Sequence, residues 1–255
     1  MMPLFSIITV TYNAEATLPP TLKSIGNQTF ADFEHIIIDG ASKDKTVEIA
    51  HSQGKKEKTV VYSEPDDGLY DAMNKGMEKA CGEYLIFLNA GDSFHSPDTL
   101  EKIADTIEKN DRPGIVYGQT EIVNSARQKV ADRHLTAPEH LDYKSFKNGM
   151  TVCHQAFVVL ARLAPMFDTR YRFSADYDWC IKCLQHSRHN AYVGTTTIDY
   201  LFEGLTSSNK MKSLIERFRI MSKYYGVIPT VLNHLKFIPR FIKRSKEEKK
   251  ITNQK

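Results

Sequence analysis

The sequence predicts an α/β fold: a mostly parallel sheet flanked by helices, with a less regular second half. Over the first hundred residues, β-branched and aromatic runs alternate with segments whose apolar residues recur at helical spacing. Each of the first four strands then ends in a polar segment with carboxylates or amides, where open parallel sheets bind ligands. At 255 residues, 41% apolar and 25% charged, the chain can bury the core such a sheet needs.

In chain order, Phe5–Val10 reads as a buried strand, not a signal peptide, because no basic segment precedes it. Residues Glu15–Asn27 read as a helix with Leu18, Leu22 and Ile25 inward, and Glu34–Asp39 as the second strand. A helical stretch, Lys45–Gln53, leads to a third strand at Thr59–Ser63. Leu69, Ala72, Met73, Gly76, Met77 and Ala80 mark a further helix, and Glu83–Leu88 the fourth strand. Beyond it, Gly114–Val123 and Gln128–Leu135 read as strands flanking a turn at residues 124–127. Gln155–Leu160 and Ala191–Thr197 are strand-like; Ala175–His186 and Met211–Tyr225 are helical. No linker divides the chain, so one domain is expected over residues 1–226, followed by a basic amphipathic tail over 227–255.

The net charge of +3 is unevenly spread: residues 236–255 hold eight basic and two acidic side chains, a local charge of +6, and the rest sums to −3. A mildly acidic body argues against a nucleic-acid binder. No apolar run approaches the roughly 20 residues that span a bilayer, and the longest, Ala156–Ala164, is broken by Arg162. Four cysteines without framework spacing fit a reducing compartment, so a cytoplasmic protein is expected.

The four strand ends read Thr11-Tyr12-Asn13-Ala14-Glu15, Asp39-Gly40-Ala41-Ser42-Lys43-Asp44, Glu64-Pro65-Asp66-Asp67-Gly68 and Asn89-Ala90-Gly91-Asp92. Capping and turn roles account for Asn13, Ser42, Asp66 and Asp67, but not for carboxylates at all four ends. Neither Gly-x-Gly-x-x-Gly after the first strand nor Gly-x-x-x-x-Gly-Lys-Ser/Thr occurs. A carboxylate-rich rim would repel a bare diphosphate, and a divalent cation such as Mn²⁺ or Mg²⁺ would offset both partners.

These residues resemble the inverting family 2 glycosyltransferases of the GT-A fold. The resemblance rests on Phe5–Glu15, on Ile38–Ser42 with Asp44 and Thr46, and on Leu88–Asp92. The run Ser63–Gly76, with Phe87–Asp92, His154-Gln155-Ala156 and Ser174-Ala175-Asp176-Tyr177, is similar to the branch that builds exopolysaccharides such as colanic acid and O-antigens. It implies a nucleotide-diphospho-sugar donor, a divalent metal, and transfer with inversion to a hydroxyl of a glycan or lipid-linked acceptor. Carried over by position, Thr11, Tyr12, Asn13, Glu15 and Asp39 would hold the nucleoside, with Asp66, Lys75 and Asn89 also on the donor and Lys75 facing the diphosphate. The family's metal motif places carboxylates where this chain has Asn89 and Gly91, so Asp92 is the expected metal ligand. His154 would touch the metal, the diphosphate or the acceptor.

Displacing a nucleoside diphosphate requires the acceptor hydroxyl to lose a proton as it attacks, a task for a carboxylate general base. Asp176 holds the family's position for it. Asp178 lies about 200° further round the same helix and points elsewhere. The series Cys180-x-x-Cys183-x-x-His186-x-x-His189 suggests zinc, but its ends lie about 13 Å apart along a helix and cannot converge. Cys180 and Cys183 read as core residues, and Cys81 and Cys153 as buried apolar groups. In the tail, Val231, Leu232, Leu235, Ile238, Phe241 and Ile242 mix with Lys236, Arg240, Lys243 and Arg244. This reads as an interfacial helix on an anionic membrane, peripheral on its inner face. A nucleotidyltransferase and a non-catalytic sugar-nucleotide or polysaccharide-binding protein are the alternatives.

Overall fold

The computed structural model describes residues 2–54, 57–133, 135–202 and 210–235. Three parallel pairings build the first half of the sheet: β1 (Phe5–Thr11) lies between β2 (Phe33–Asp39) and β4 (Tyr84–Phe87), and β3 (Thr59–Ser63) extends β2. Every residue of β1 is buried, as a central strand covered on both faces must be. The apolar side chains of β2 divide by parity. Ile36 and Ile38 join the main core, while Ile37 meets Leu18, Leu22 and Ala50 from α1 (Leu18–Gly26) and α2 (Thr46–Gln53). Pro19 and Pro20 occupy the first turn of α1, where a missing N–H costs nothing, so this helix starts three residues later than the sequence pattern suggests.

On the main-core face, α3 (Leu69–Lys79) packs on β1 and β2. Gly76 makes the close approach possible: a Cβ there would lie 2.4 Å from Ile8 Cγ2.

The second half continues the same sheet with mixed pairing. β8 (Phe157–Leu160) runs antiparallel to both β4 and β6 (Ile115–Val123), and β9 (Asn190–Leu201) runs parallel to β6. β5 (Ser93–Phe94) pairs antiparallel with β9 at the far edge, and β7 (Lys129–Asp132) forms a hairpin on β6. The strand order is therefore β3-β2-β1-β4-β8-β6-β9-β5, with β7 off β6. α4 (Thr99–Lys109) buries Leu100, Ile103, Ala104 and Ile107; α5 (Ala175–His186) and α6 (Lys210–Tyr225) complete the body. Residues 227–235 are helical too, and they lay Thr230 and Asn233 against the body, where Asn233 Nδ2 donates to the Lys147 carbonyl at 3.0 Å. The tail residues 236–255 lie outside the described residues.

One expectation is corrected. Cys81 is exposed, not buried, because it follows the end of α3 and its backbone N–H is held by the Glu34 carboxylate at the surface. Cys153, Cys180 and Cys183 are buried, while His186 and His189 are exposed at and beyond the end of α5, so the zinc-like series does not converge.

Candidate active site

The loop after β1 and the loop after β2 are knitted by reciprocal bonds. Asn13 takes a left-handed backbone (φ 48°), donates its N–H to Ser42 Oγ (2.8 Å), and accepts the Lys43 N–H on Oδ1 (2.8 Å). Glu15 accepts the Lys45 N–H (3.0 Å), and its own N–H donates to Asp44 (3.1 Å). Asp39 is fully buried, and its carboxylate accepts from Thr11 Oγ1 (2.9 Å), Ser42 Oγ (2.5 Å), the Ser42 N–H (2.9 Å) and Ser63 Oγ (2.8 Å). Thus Thr11, Asn13, Glu15 and Asp39, all expected at the nucleoside, fix the shape of this rim through their side chains. Tyr12 differs: it is 66% exposed. Its ring and the Asp66 carboxylate crowd the backbone of Gly40, where a Cβ would lie 2.5 Å from Asp66 Oδ2 and 3.3 Å from Tyr12 Cδ2. Asp66 also accepts the Gly68 N–H at 2.8 Å, turning the chain into α3. Lys75 donates to the Pro65 carbonyl (2.7 Å) and pairs with Glu64 (3.2 Å) and Asp71 (3.5 Å), so its ammonium is held at the start of α3.

At the end of β4, a 3₁₀ turn at His154–Ala156 inserts two side chains side by side. Gln155 Nε2 donates to Asp92 Oδ2 (2.7 Å), and the Leu201 N–H donates to Asp92 Oδ1 (3.0 Å). Asp92 is 4% exposed; burial pushes its carboxyl up to about 6 despite those bonds and the nearby charges of His154 and Arg127. His154 Nε2 lies 3.3 Å from Asn89 Nδ2, and its Nδ1 lies 3.3 Å from Asp176 Oδ2. His154 therefore bridges Asn89 and Asp176, with its Nδ1 donating to the carboxylate.

Asp176, in the first turn of α5, also accepts from Tyr70 Oη (3.0 Å) and from the Tyr177 N–H (2.9 Å). Burial pushes the Asp176 carboxyl upward, but the hydrogen bond and charge of His154, the charge of Arg217 and the Tyr70 hydroxyl outweigh it and hold it below the ordinary value. It is therefore an ionised carboxylate at neutral pH. An aromatic cluster holds the helix start in place: Trp179 stacks on Phe167 at 4.8 Å and meets Phe87 of β4 edge-on at 5.4 Å. α3 clamps the same region, with Asn74 bonded twice to the Phe167 backbone (2.7 and 3.1 Å) and Tyr70 stacked on its ring. Asp178 is elsewhere: it is fully buried, with Lys182 Nζ at 2.6 Å, Lys223 Nζ at 3.0 Å and Tyr224 Oη at 2.9 Å.

The structure thus brings Asn89, Asp92, His154 and Asp176 together, and gathers Tyr12, Asp39 and Asp66 around the neighbouring rim. Sequence reasoning missed Tyr70, Asn74 and Gln155, although all three lie inside the quoted motif runs. An open groove of about 720 Å³ lined by Asp142, Lys144, Arg188 and His189 lies by the C-terminal end of α5, opposite the end that carries Asp176.

Comparison with known proteins decides the class. The sequence matches the profile of Glycosyl transferase family 2 over residues 6–164. The chain belongs to that family. This glycosyltransferase is 33% identical over 229 residues to a PGL/p-HBAD biosynthesis glycosyltransferase of Mycobacterium tuberculosis, covering 87% of this chain and 86% of the relative. It is 28% identical to an uncharacterized glycosyltransferase of Haemophilus influenzae, covering 90% and 93%. Its fold is that of the S. aureus TarS 1-349 crystal structure (TM-score 0.72, 17% identity, covering 92% of this chain and 72% of that one). The TarS 1-349 structure in complex with UDP matches with a TM-score of 0.67 at 18% identity, covering 86% and 64%. Family membership favours the transferase over the nucleotidyltransferase and the binding protein.

For a divalent cation, the donor chemistry at the end of β4 fits a sparse site. Asn89 Oδ1 is buried with no hydrogen-bond partner among the described residues, and each Asp92 oxygen keeps a lone pair. Few protein oxygens suffice where substrate phosphates complete the shell. His95, Glu121 and Asp199 also place possible ligand atoms within 4.8 Å of one another, but Lys129 already pairs with Glu121 at 3.1 Å.

Proposed function

We propose that this glycosyltransferase transfers a sugar, with inversion, from a nucleotide-diphospho-sugar to a hydroxyl of a glycan or lipid-linked acceptor in cell-surface polysaccharide biosynthesis. The observation that carries this reading is the placement of the Asp176 carboxylate, tied through His154 to Asn89 at the end of β4 and gripped by Tyr70. The acceptor oxygen forms its bond to the anomeric carbon as the bond to the diphosphate oxygen breaks. Asp176 takes the acceptor proton, and the leaving diphosphate keeps the electron pair. A single displacement inverts the centre.

Tyr12 and Asp66 line the nucleoside side, on the rim that Thr11, Asn13, Glu15 and Asp39 shape. Lys75 supplies positive charge on the donor side. Asp92 and Asn89 would hold Mn²⁺ or Mg²⁺, which when bound offsets the charge growing on the diphosphate. His154 keeps Asp176 ionised and aimed. The similarity to a PGL/p-HBAD biosynthesis glycosyltransferase and the motif resemblance support a glycan-building pathway.

The test is Asp176→Asn. Turnover of the best donor from a panel of nucleotide sugars should fall about 10²–10⁴-fold, the usual contribution of a general base. Donor binding by titration calorimetry should stay within a factor of two or three. Retained turnover would remove Asp176 as the base.

The outer surface supports a membrane-facing acceptor. Met211, Leu214 and Ile215 of α6, and Val227, Ile228, Val231, Leu232 and Leu235 after it, are exposed apolar side chains next to the basic tail. Among the described residues no helix is long and apolar enough to cross a membrane. Peripheral attachment to an anionic leaflet is the reading these features favour.

A further inference from the structure

A site that gathers the carboxylates of Asp66, Asp92 and Asp176 over the buried Asp39 has to receive a substrate that is itself a dianion or more. The cations around it are mostly committed. Lys75 is held by Glu64 and Asp71, Lys182 and Lys223 by Asp178, and the Arg133 guanidinium donates to the Met150 and Thr151 carbonyls at 3.0 and 3.1 Å. Arg127 lies against β5, with a 3.4 Å bond to Ser93, where Asp92 and Asp199 answer its charge.

Arg127 and Arg217 each keep a buried Nε with no hydrogen-bond partner among the described residues. Arg127 sits at the β5 edge beside Ser93, whereas Arg217 stands on the Asp176 side of the site. Its placement is fixed by its neighbours on α6. Ser213, one turn earlier on the same face, sits with its Oγ 3.0 Å from Ser174 Oγ, two residues before Asp176. Glu216 accepts the backbone N–H groups of Arg172 and Phe173 at 2.9 and 2.8 Å. Ile220 and Met221 bury the following turn, and Tyr224 Oη reaches Asp178. Arg217 therefore lies on the inward stripe of α6, beside the start of α5, and its charge reaches both Asp176 and Tyr70. A buried guanidinium N–H left without an acceptor is costly, and the cost is recovered when a ligand supplies one.

We propose that Arg217 is a phosphate-binding residue of this site, delivered by α6 to hold a phosphate group of a substrate beside Asp176. This rests on the nucleotide-sugar reading above. A planar guanidinium presents paired N–H groups that match two phosphate oxygens, which a lysine does not reproduce. Two substrates could bring that phosphate: the diphosphate of the donor, or a phosphate on the acceptor.

The experiment uses the full-length protein and the variants Arg217→Gln and Arg217→Lys, with melting temperatures as the check on folding. In one arm, UDP, GDP and dTDP are titrated by calorimetry, and the matching nucleoside is titrated against the best of them. In the other, inorganic phosphate is titrated with and without that nucleoside diphosphate at saturation. A donor contact predicts that Arg217→Gln weakens the diphosphate at least tenfold, leaves nucleoside affinity unchanged, and is partly restored in Arg217→Lys. An acceptor contact predicts unchanged diphosphate affinity and loss of the phosphate binding that wild type shows with the nucleotide in place. Unchanged affinities in both arms, with Arg217→Gln folded, overturn the proposal. Wild-type protein that binds none of the three diphosphates counts against the nucleotide-sugar reading instead, and the phosphate arm then decides Arg217 by itself.

Discussion

Asp176 and Asp178 stand two residues apart on α5 and meet opposite surroundings. Asp176 keeps 14% of its side chain exposed and faces His154 and Tyr70, whereas Asp178 is enclosed and neutralised by two lysines. The helical angle between them, legible in the sequence, is what separates the two fates. His35 is a residue whose chemistry was not legible. It sits mid-strand in β2, 1% exposed, with Nε2 3.0 Å from Thr9 Oγ1 and Nδ1 3.2 Å from Thr59 Oγ1. Burial lowers its pKa from 6.5 to about 3. Below pH 6.5 the unfolded chain takes up a proton that the folded chain refuses until about pH 3, so stability falls on acidification through that window. The slope from this group approaches about 1.4 kcal/mol per pH unit. Urea denaturation between pH 7 and 5 should show this loss, and His35→Gln should flatten it. An unchanged slope in that variant would assign the acid sensitivity to other groups.

At the scale of elements, the strands and helices of the first half follow their periodicity because each has one buried face and regular spacing. α4 goes unnamed in the sequence reading, although its buried apolar residues Leu100, Ile103, Ala104 and Ile107 fall at the i, i+3, i+4 and i+7 positions of a helix face. β5, two residues long, has no period to read. β9 runs on to Leu201 because it pairs with β6 along nearly its whole length, a tertiary cause invisible in Asp199 and Tyr200. The site was legible as separate motifs but not as a junction. Nothing local to Tyr70 or Arg217 says that α3 and α6 converge on the start of α5. The latch between α5 and α6 is correspondingly testable. Asp178→Asn removes the charge that gathers Lys182, Lys223 and Tyr224. Because both lysines are partly exposed, the expected cost is about 1–3 kcal/mol in urea unfolding, below that of a fully enclosed pair. Donor affinity measured under folding conditions should persist. A variant as stable as wild type would show that the latch contributes nothing.

For the whole molecule, the acidic body and the apolar, basic C-terminal flank divide two tasks between them. Co-sedimentation with anionic vesicles should retain full-length protein, and Ile228→Ser with Leu232→Ser should release most of it without shifting the melting temperature, since both side chains are more than half exposed. Equal retention of the double variant, or equal binding to neutral vesicles, would sink that picture.

The seam between the two halves has a further consequence, for biosynthesis. Among the described residues β5 pairs with β9 alone, Ser93 opposite Asp199, and the Asp92 carboxylate waits on the Leu201 N–H. A nascent chain therefore carries an unfinished sheet border until residue 201 has left the ribosome. Chains that stop ahead of β9 should accumulate as insoluble material when expressed, not as a working nucleotide-binding half, because an open strand border recruits other copies. Soluble, monomeric protein ending near residue 188 would show that the first half closes its own border.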